Sequence, residues 1–214
     1  MKKTLLTVFL LLGLLPAQAQ FFQGWGIMAG GTLGRQNWYY HEPASKERLK
    51  YLLRYNGEIF AEFGNHPTFR WVTELQYNNK GAKWKTSDIN GNSMTVRFQN
   101  HYAAWNNYLM IRKELFAIIP YVKIGPRAEY VVATDQSFNR FHLTASAGGG
   151  VEFVAFGRIK FLTEFHWVPD LTESANDEFY DVKQHAWELR VGIKIARKGS
   201  TTCPAYRDGD QQQM

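Results

Sequence analysis

Apolar and polar residues alternate with a period of two over most of the chain. From residue 185 onward, Trp187, Leu189, Val191, Ile193 and Ile195 hold one parity, while Glu188, Arg190, Gly192 and Lys194 hold the other. Successive side chains of an extended strand point to opposite faces, so this spacing predicts a strand with one apolar and one polar face. The same reading applies to residues 158–171, where Ile159, Phe161, Phe165 and Trp167 oppose Lys160, Glu164 and His166. Further upstream, Pro120, Val122, Ile124, Ala128, Tyr130 and Val132 alternate with Tyr121, Lys123, Gly125, Arg127 and Glu129. Leu143, Ala145, Ala147, Val151 and Phe153 alternate with His142, Thr144, Ser146, Gly148, Gly150 and Glu152. Trp71, Leu75 and Tyr77 face away from Glu74, Gln76 and Asn78, and Trp25, Ile27, Ala29 and Leu33 oppose Gly24, Gly26, Gly30 and Gly34.

With weaker strands over 54–64 and 99–113, the chain predicts eight strands. Their connections alternate in length: long over 35–53, short over 65–68, long over 85–97, short over 114–117, then 133–139, a tight turn at Gly157, and long again over 170–183. An even number of antiparallel strands, with short turns at one rim and long loops at the other, predicts an all-β, up-and-down transmembrane β-barrel.

Alternation alone does not distinguish a soluble barrel with an apolar interior from a membrane barrel with an apolar exterior; side-chain size does. The bore of an eight-stranded barrel is just wide enough for side chains to fill, whereas its outer wall has room for large rings. The apolar parity carries Trp25, Trp71, Tyr77, Phe153, Phe161, Phe165, Trp167 and Trp187, and the polar parity carries Gly24, Gly26, Gly30, Gly125, Gly148, Gly150 and Gly192. The polar face is therefore expected to line the lumen. Buried unpaired charge is costly, so Glu58, Glu62, Glu74, Glu129, Glu152, Glu164 and Glu188 are expected to pair with Lys123, Arg127, Lys160, Arg190 and Lys194 in a network that fills the bore. Trp25, Trp71, Tyr77, Tyr130, Phe165, Trp167 and Trp187 are expected to face lipid, and the rings near strand ends, Trp84 among them, to form interfacial girdles.

Composition narrows the class. In 214 residues, 45% hydrophobic and 21% charged side chains exclude disorder and suit one domain. Beyond the first twenty residues no uncharged apolar run approaches the roughly 18–20 residues of a spanning helix, so any membrane crossing falls to strands. Lys2 and Lys3, an apolar run over 5–15 and Ala17-Gln18-Ala19 predict a signal peptide over 1–19, a barrel domain over 20–196 and a polar tail over 197–214. Cys203 is the only cysteine, which rules out an internal disulfide. A formal charge of +6 is modest and gives no reason to expect nucleic acid as a partner.

Several stretches resemble the PorT-like outer-membrane β-barrel family. They are Phe60-Ala61-Glu62-Phe63 followed by Thr73-Glu74-Leu75-Gln76-Tyr77-Asn78-Asn79-Lys80-Gly81-Ala82-Lys83, the Gly-rich run from Gly24 to Gly34, the run from Tyr121 to Tyr130 with its Gly125-Pro126, and Gly148-Gly149-Gly150-Val151-Glu152-Phe153. The order and spacing of these pieces, rather than any one motif, carry the likeness. It implies an eight-stranded, non-enzymatic barrel in the outer membrane, in a family some of whose members are linked to protein secretion. The chain departs from the family at Asn106, Asn107, Arg112 and Lys113, and in ending its last strand near Ile195 with a polar tail after it.

Little in the sequence points to catalysis. Gly24-Trp25-Gly26-Ile27-Met28-Ala29 fits a dinucleotide pattern but lacks the preceding strand and following helix. The six histidines show no metal-ligand spacing, so neither metal nor cofactor is expected. Ser146, His166 and Glu164 share the polar face, but positions two apart on a strand lie about 7 Å apart, which predicts no His–carboxylate contact. Lys46, Arg48 and Lys50 in the first long segment, and Lys80, Lys83 and Lys85 flanking the second, are candidate contacts to glycolipid phosphate. The expected protein is an integral outer-membrane barrel with a structural, adhesion or secretion-associated role exercised through its loops. Its expected partners are membrane lipid and other outer-membrane or secretion-machinery proteins. The alternatives are a secreted lipocalin-like barrel with an apolar ligand inside, and an outer-membrane lipid-modifying enzyme.

Overall fold

The structure, a computed structural model, describes residues 21–41, 44–87, 91–135, 139–176 and 179–197. The expected signal peptide and nearly all of the expected tail, Cys203 included, lie outside the described residues. Ten strands form in chain order: β1 (Phe22–Tyr40), β2 (Ser45–Arg48), β3 (Lys50–Phe63), β4 (Phe69–Ser87), β5 (Ser93–Arg112), β6 (Ile118–Thr134), β7 (Phe141–Phe156), β8 (Ile159–Pro169), β9 (Ala175–Asn176) and β10 (Tyr180–Ala196). Eight of them, β1-β3-β4-β5-β6-β7-β8-β10, pair antiparallel in chain order, and β10 pairs back onto β1 from Gly24↔Ala196 to Tyr40↔Tyr180. The ring is closed, so every interior strand has two hydrogen-bonded neighbours and no long edge is left open. The short β2 and β9 add to β1 and β10 at the loop rim.

Strand pairing continues well past the positions where sequence alternation fades. The segments read as long loops over 35–53 and 85–97 are largely strand, and β4 and β5 pair without a break from Phe69↔Ile111 to Ser87↔Ser93. Beyond the lipid the outer face meets water and no longer has to be apolar, so the apolar–polar contrast fades while the backbone hydrogen bonds persist. Strands of 19 and 20 residues exceed the roughly 9–11 needed to cross a bilayer, so this hairpin projects far beyond it.

The two parities meet different surroundings. Leu75 is 58% exposed, Ile124 63% and Val191 61%, whereas Glu74, Arg127, Glu188 and Arg190 on the opposite parity are at most 1% exposed. Glycine is required where strands crowd inward: a Cβ on Gly125 would collide with the Asn107 carbonyl, and one on Gly192 with the Ile27 carbonyl and the Met28 side chain. Rings are not confined to the outer wall, however. Met28, Phe60, Val72, Tyr108, Met110, Tyr121 and Leu162 form an apolar cluster inside the bore. Phe60 stands between Glu58 and Glu62 on β3, and Leu162 between Lys160 and Glu164 on β8, so an apolar layer divides the interior charges into two tiers.

Candidate functional site

The interior is the most elaborated chemical feature of the molecule. Seven glutamates (Glu58, Glu62, Glu74, Glu129, Glu152, Glu164 and Glu188) and seven cations (Lys80, Arg112, Lys123, Arg127, Lys160, Arg190 and Lys194) are buried among the described residues. All share the inward parity of their strands, so the period of two that builds the strands also concentrates the charges on the axis.

Arg190 organises the central tier. Its Nη1 lies 2.6 Å from Glu58 Oε2 and 3.1 Å from Glu74 Oε2, and its Nη2 lies 2.9 Å from Glu188 Oε2. Lys123 bridges Glu74 at 2.6 Å and Glu164 at 2.8 Å, and the Tyr121 hydroxyl donates to Glu164 at 2.6 Å. Above them, Arg127 reaches Glu188 at 2.9 Å and Glu129 at 2.6 Å. Asn78 and Gln76 donate to the carboxylate of Glu188, and Asn106 donates to Glu74 at 3.1 Å. The second tier lies toward the turn rim. Glu62 pairs with Lys194, with Arg112 at 3.1 Å and with Arg70 at 3.2 Å. Glu152 pairs with Lys160 and, at 3.0 Å, with Lys194. The opposed charges are equal in number and each carboxylate has at least one cationic neighbour, which offsets the several kcal/mol that burying each ion costs.

Two sequence expectations need correction. Lys80 is not a surface contact for glycolipid: it is 1% exposed, and its Nζ lies 2.7 Å from Glu129 inside the bore. It sits on the inward parity of β4, which remains a strand well past this residue. Arg112, a departure from the family pattern in the sequence, and Arg70 also belong to the network through Glu62. Ser146, His166 and Glu164 do form a connected set. Ser146 Oγ and His166 Nδ1 are 3.1 Å apart, and His166 Nε2 and Glu164 Oε2 are 3.0 Å apart. Backbone spacing set the expectation of no contact, but a glutamate has enough reach to fold along the strand to its same-face neighbour. The trio is buried beneath Tyr121 and Lys123 contacts to Glu164, so its hydrogen bonds belong to the packing of the bore.

The expected lipid-facing rings lie on the outer wall: Trp25 is 48% exposed, Trp71 49%, Tyr77 40%, Tyr130 48%, Phe165 51% and Trp167 44%. Trp187 is half-buried because it stacks on Phe165 at 5.2 Å, and Trp84, expected in a girdle, instead has the inward parity of β4 and lines a cleft with Trp38 and Phe98. Along β8 the apolar outer parity runs from Ile159 to Trp167, roughly 26 Å of strand at ~3.3 Å per residue.

Beyond this band the outer wall is basic. Lys46, Arg48, Lys50 and Lys85 are exposed and Lys83 is half-buried. Lys46 Nζ lies 4.4 Å from the Tyr39 ring centre, and Arg35 stacks 5.0 Å from that of Tyr51. His185 joins them opposite Arg35, its imidazole pKa lowered by burial and by Arg35, Lys46 and Lys183. At the same rim the carboxylate of Asp170 accepts from Ser174 Oγ at 2.6 Å and from the Gln184 amide at 2.7 Å. Burial pushes its pKa up to about 6, against the opposing pull of Lys80.

No protein-family profile and no curated protein matches the sequence. Among solved structures, the fold is similar to that of Neisserial surface protein A (NspA), with 9% identity, a TM-score of 0.50, and coverage of 81% of this chain and 97% of that one. It is also similar to the outer membrane protein OprG from Pseudomonas aeruginosa, with 9% identity, a TM-score of 0.51, and coverage of 83% of this chain and 98% of that one. At such identity the likeness is one of fold, and the fold is that of an outer-membrane β-barrel.

Proposed function

We propose that this protein is an integral outer-membrane β-barrel, exported by its N-terminal segment, that acts without catalysis as a structural, adhesion or secretion-associated component through its loop rim. The observation that carries the reading is the inverted partition of the side chains. Large apolar groups cover the outside over a height suited to a bilayer, and seven carboxylates with seven cations occupy the inside. A soluble barrel of the lipocalin type would reverse this arrangement, with its ligand pocket apolar and its exterior polar. An interior filled by interlocked ion pairs is also no conduit, which turns attention to the projecting hairpins. The order of the motifs supports placing the chain with PorT-like proteins, with other outer-membrane or secretion-machinery proteins as partners. Lys46, Arg48, Lys50, Lys83 and Lys85, joined by Arg35 and Lys183, are proposed to contact outer-leaflet phosphate.

Membrane fractionation with unheated and heated gel migration tests the reading. The expected outcome is an outer-membrane fraction whose folded band migrates faster until boiled, and planar bilayers in which the purified protein produces no steady conductance. Recovery in a soluble fraction would overturn it.

A further inference from the structure

Above the ionic tiers the inward face of the barrel changes character. Trp38 and Tyr40 on β1, Trp84 on β4, Phe98 on β5 and Tyr180 on β10 continue the inward parity into the part of the barrel beyond the bilayer. Trp38 stacks on Tyr180 at 5.0 Å and lies 6.0 Å from Phe98. A cleft of about 40 Å³ opens here, walled by Trp38, Tyr40, Glu47, Leu49, Trp84 and Phe98. Glu47 stands directly opposite Trp38 in the β1–β2 ladder and, among the described residues, is the one charged residue in the wall. It forms no ion pair among the described residues, because its basic neighbour Lys46 has the other parity and lies over Tyr39 on the outer face. The Glu47 carboxylate also lies near the Tyr40 phenol, whose pKa is raised by burial and then by Glu47.

Several ring walls and one unpaired carboxylate make a site for a cation that asks for no hydrogen bonds. Aromatic faces attract positive charge through their quadrupole, and the attraction grows when water is excluded. A sugar would need several donors and acceptors, yet the Trp38 indole N–H is already committed to Gln36 Oε1 at 3.1 Å. We propose that this external cleft binds a small alkylated ammonium group, held between the rings and neutralised by Glu47. That chemistry is shared by free quaternary amines and by the head group of choline lipids.

The test is tryptophan fluorescence of the folded full-length protein in octyl tetraoxyethylene micelles, titrated with choline, with its uncharged isostere 3,3-dimethylbutanol, with glycerophosphocholine and with methyl glucoside. Choline is expected to give a saturable change, with the isostere about tenfold weaker or more. Glu47→Gln and Trp84→Ala are each expected to weaken choline about tenfold while leaving heat-modifiable migration unchanged. If Trp84→Ala disturbs folding, Glu47→Gln decides alone. Binding of glycerophosphocholine as well as choline assigns the site to lipid head groups, and binding of choline alone to free amines. No saturable change with choline up to about 100 mM, equal binding of the isostere, preference for the glucoside, or unchanged binding by Glu47→Gln would each overturn the proposal.

Discussion

Arg190 on β10 and Glu58 on β3 meet across the inner surface of the intervening β1, with one guanidinium nitrogen 2.6 and 2.7 Å from the two carboxylate oxygens. The same guanidinium also touches Glu74 on β4 and Glu188 on its own strand, so a single cation ties together three strands of the ring. Removing it leaves Glu58 without its ion-pair partner among the described residues, while Glu74 keeps Lys123 and Glu188 keeps Arg127. Arg190→Met is expected to lower unfolding stability by about 3–5 kcal/mol. Adding Glu58→Gln should restore part of that loss. Urea unfolding in detergent micelles measures both, and an unchanged midpoint for the single variant would contradict the pairing.

Lys80 and Lys85 are five positions apart on one strand and lie in opposite environments. Lys80→Met strands Glu129 with Arg127 as its remaining partner, and is expected to cost about 2–4 kcal/mol. Lys85→Met, at an exposed position, should stay within about 0.5 kcal/mol of the parent. The comparison uses the same unfolding assay, and equal effects would contradict the inward parity of Lys80.

Glycine at 192 is a requirement of closure rather than of turn geometry. Gly192→Leu would force a side chain into the Ile27 carbonyl and the Met28 side chain at the seam between β10 and β1. The expected outcome is loss of the fast-migrating folded band, or destabilisation of about 3 kcal/mol or more. Gly31→Ala, where the nearest atom is the end of the flexible Leu53 side chain, is the control and should fold.

Asp170 confers a pH dependence on the loop rim. Its folded pKa is raised to about 6, above the ordinary 3.8, so the folded state holds the proton more tightly than the unfolded chain. The resulting stabilisation is fully present below about pH 3.8 and is lost as pH rises through about 6. The stability difference between the parent and Asp170→Asn should therefore fall between pH 4 and 7 and level off above that. A flat difference in urea midpoints across this range would show that Asp170 titrates as an exposed carboxyl.

Much of the barrel is legible in alternation because the lipid enforces it. Where one face meets acyl chains and the other a crowded bore, parity records the environment, and Val191 and Arg190 can be assigned to opposite sides from residue order alone. Legibility ends at Lys80: beyond the bilayer the outer face no longer has to be apolar, and the continued pairing of β4 with β5 leaves little periodic trace. Contacts between neighbouring inward side chains are also hidden. The distance between two Cα atoms on a strand does not report how a glutamate and a histidine will fold toward each other, which is why the contact of His166 with Glu164 is absent from the linear reading.

Residue order by itself determined the strand periodicity, the antiparallel hairpin succession and the side of the wall on which rings and charges stand, since these follow from local geometry and the size of the bore. Closure of the ring by β1 on β10, the choice of Arg190 as the hub for Glu58, Glu74 and Glu188, and the aromatic mouth around Trp38 were decided only by the tertiary structure. The Arg190–Glu58 pair joins residues 132 positions apart, and which ions face each other across the bore depends on the stagger between strands, a quantity that no single strand encodes.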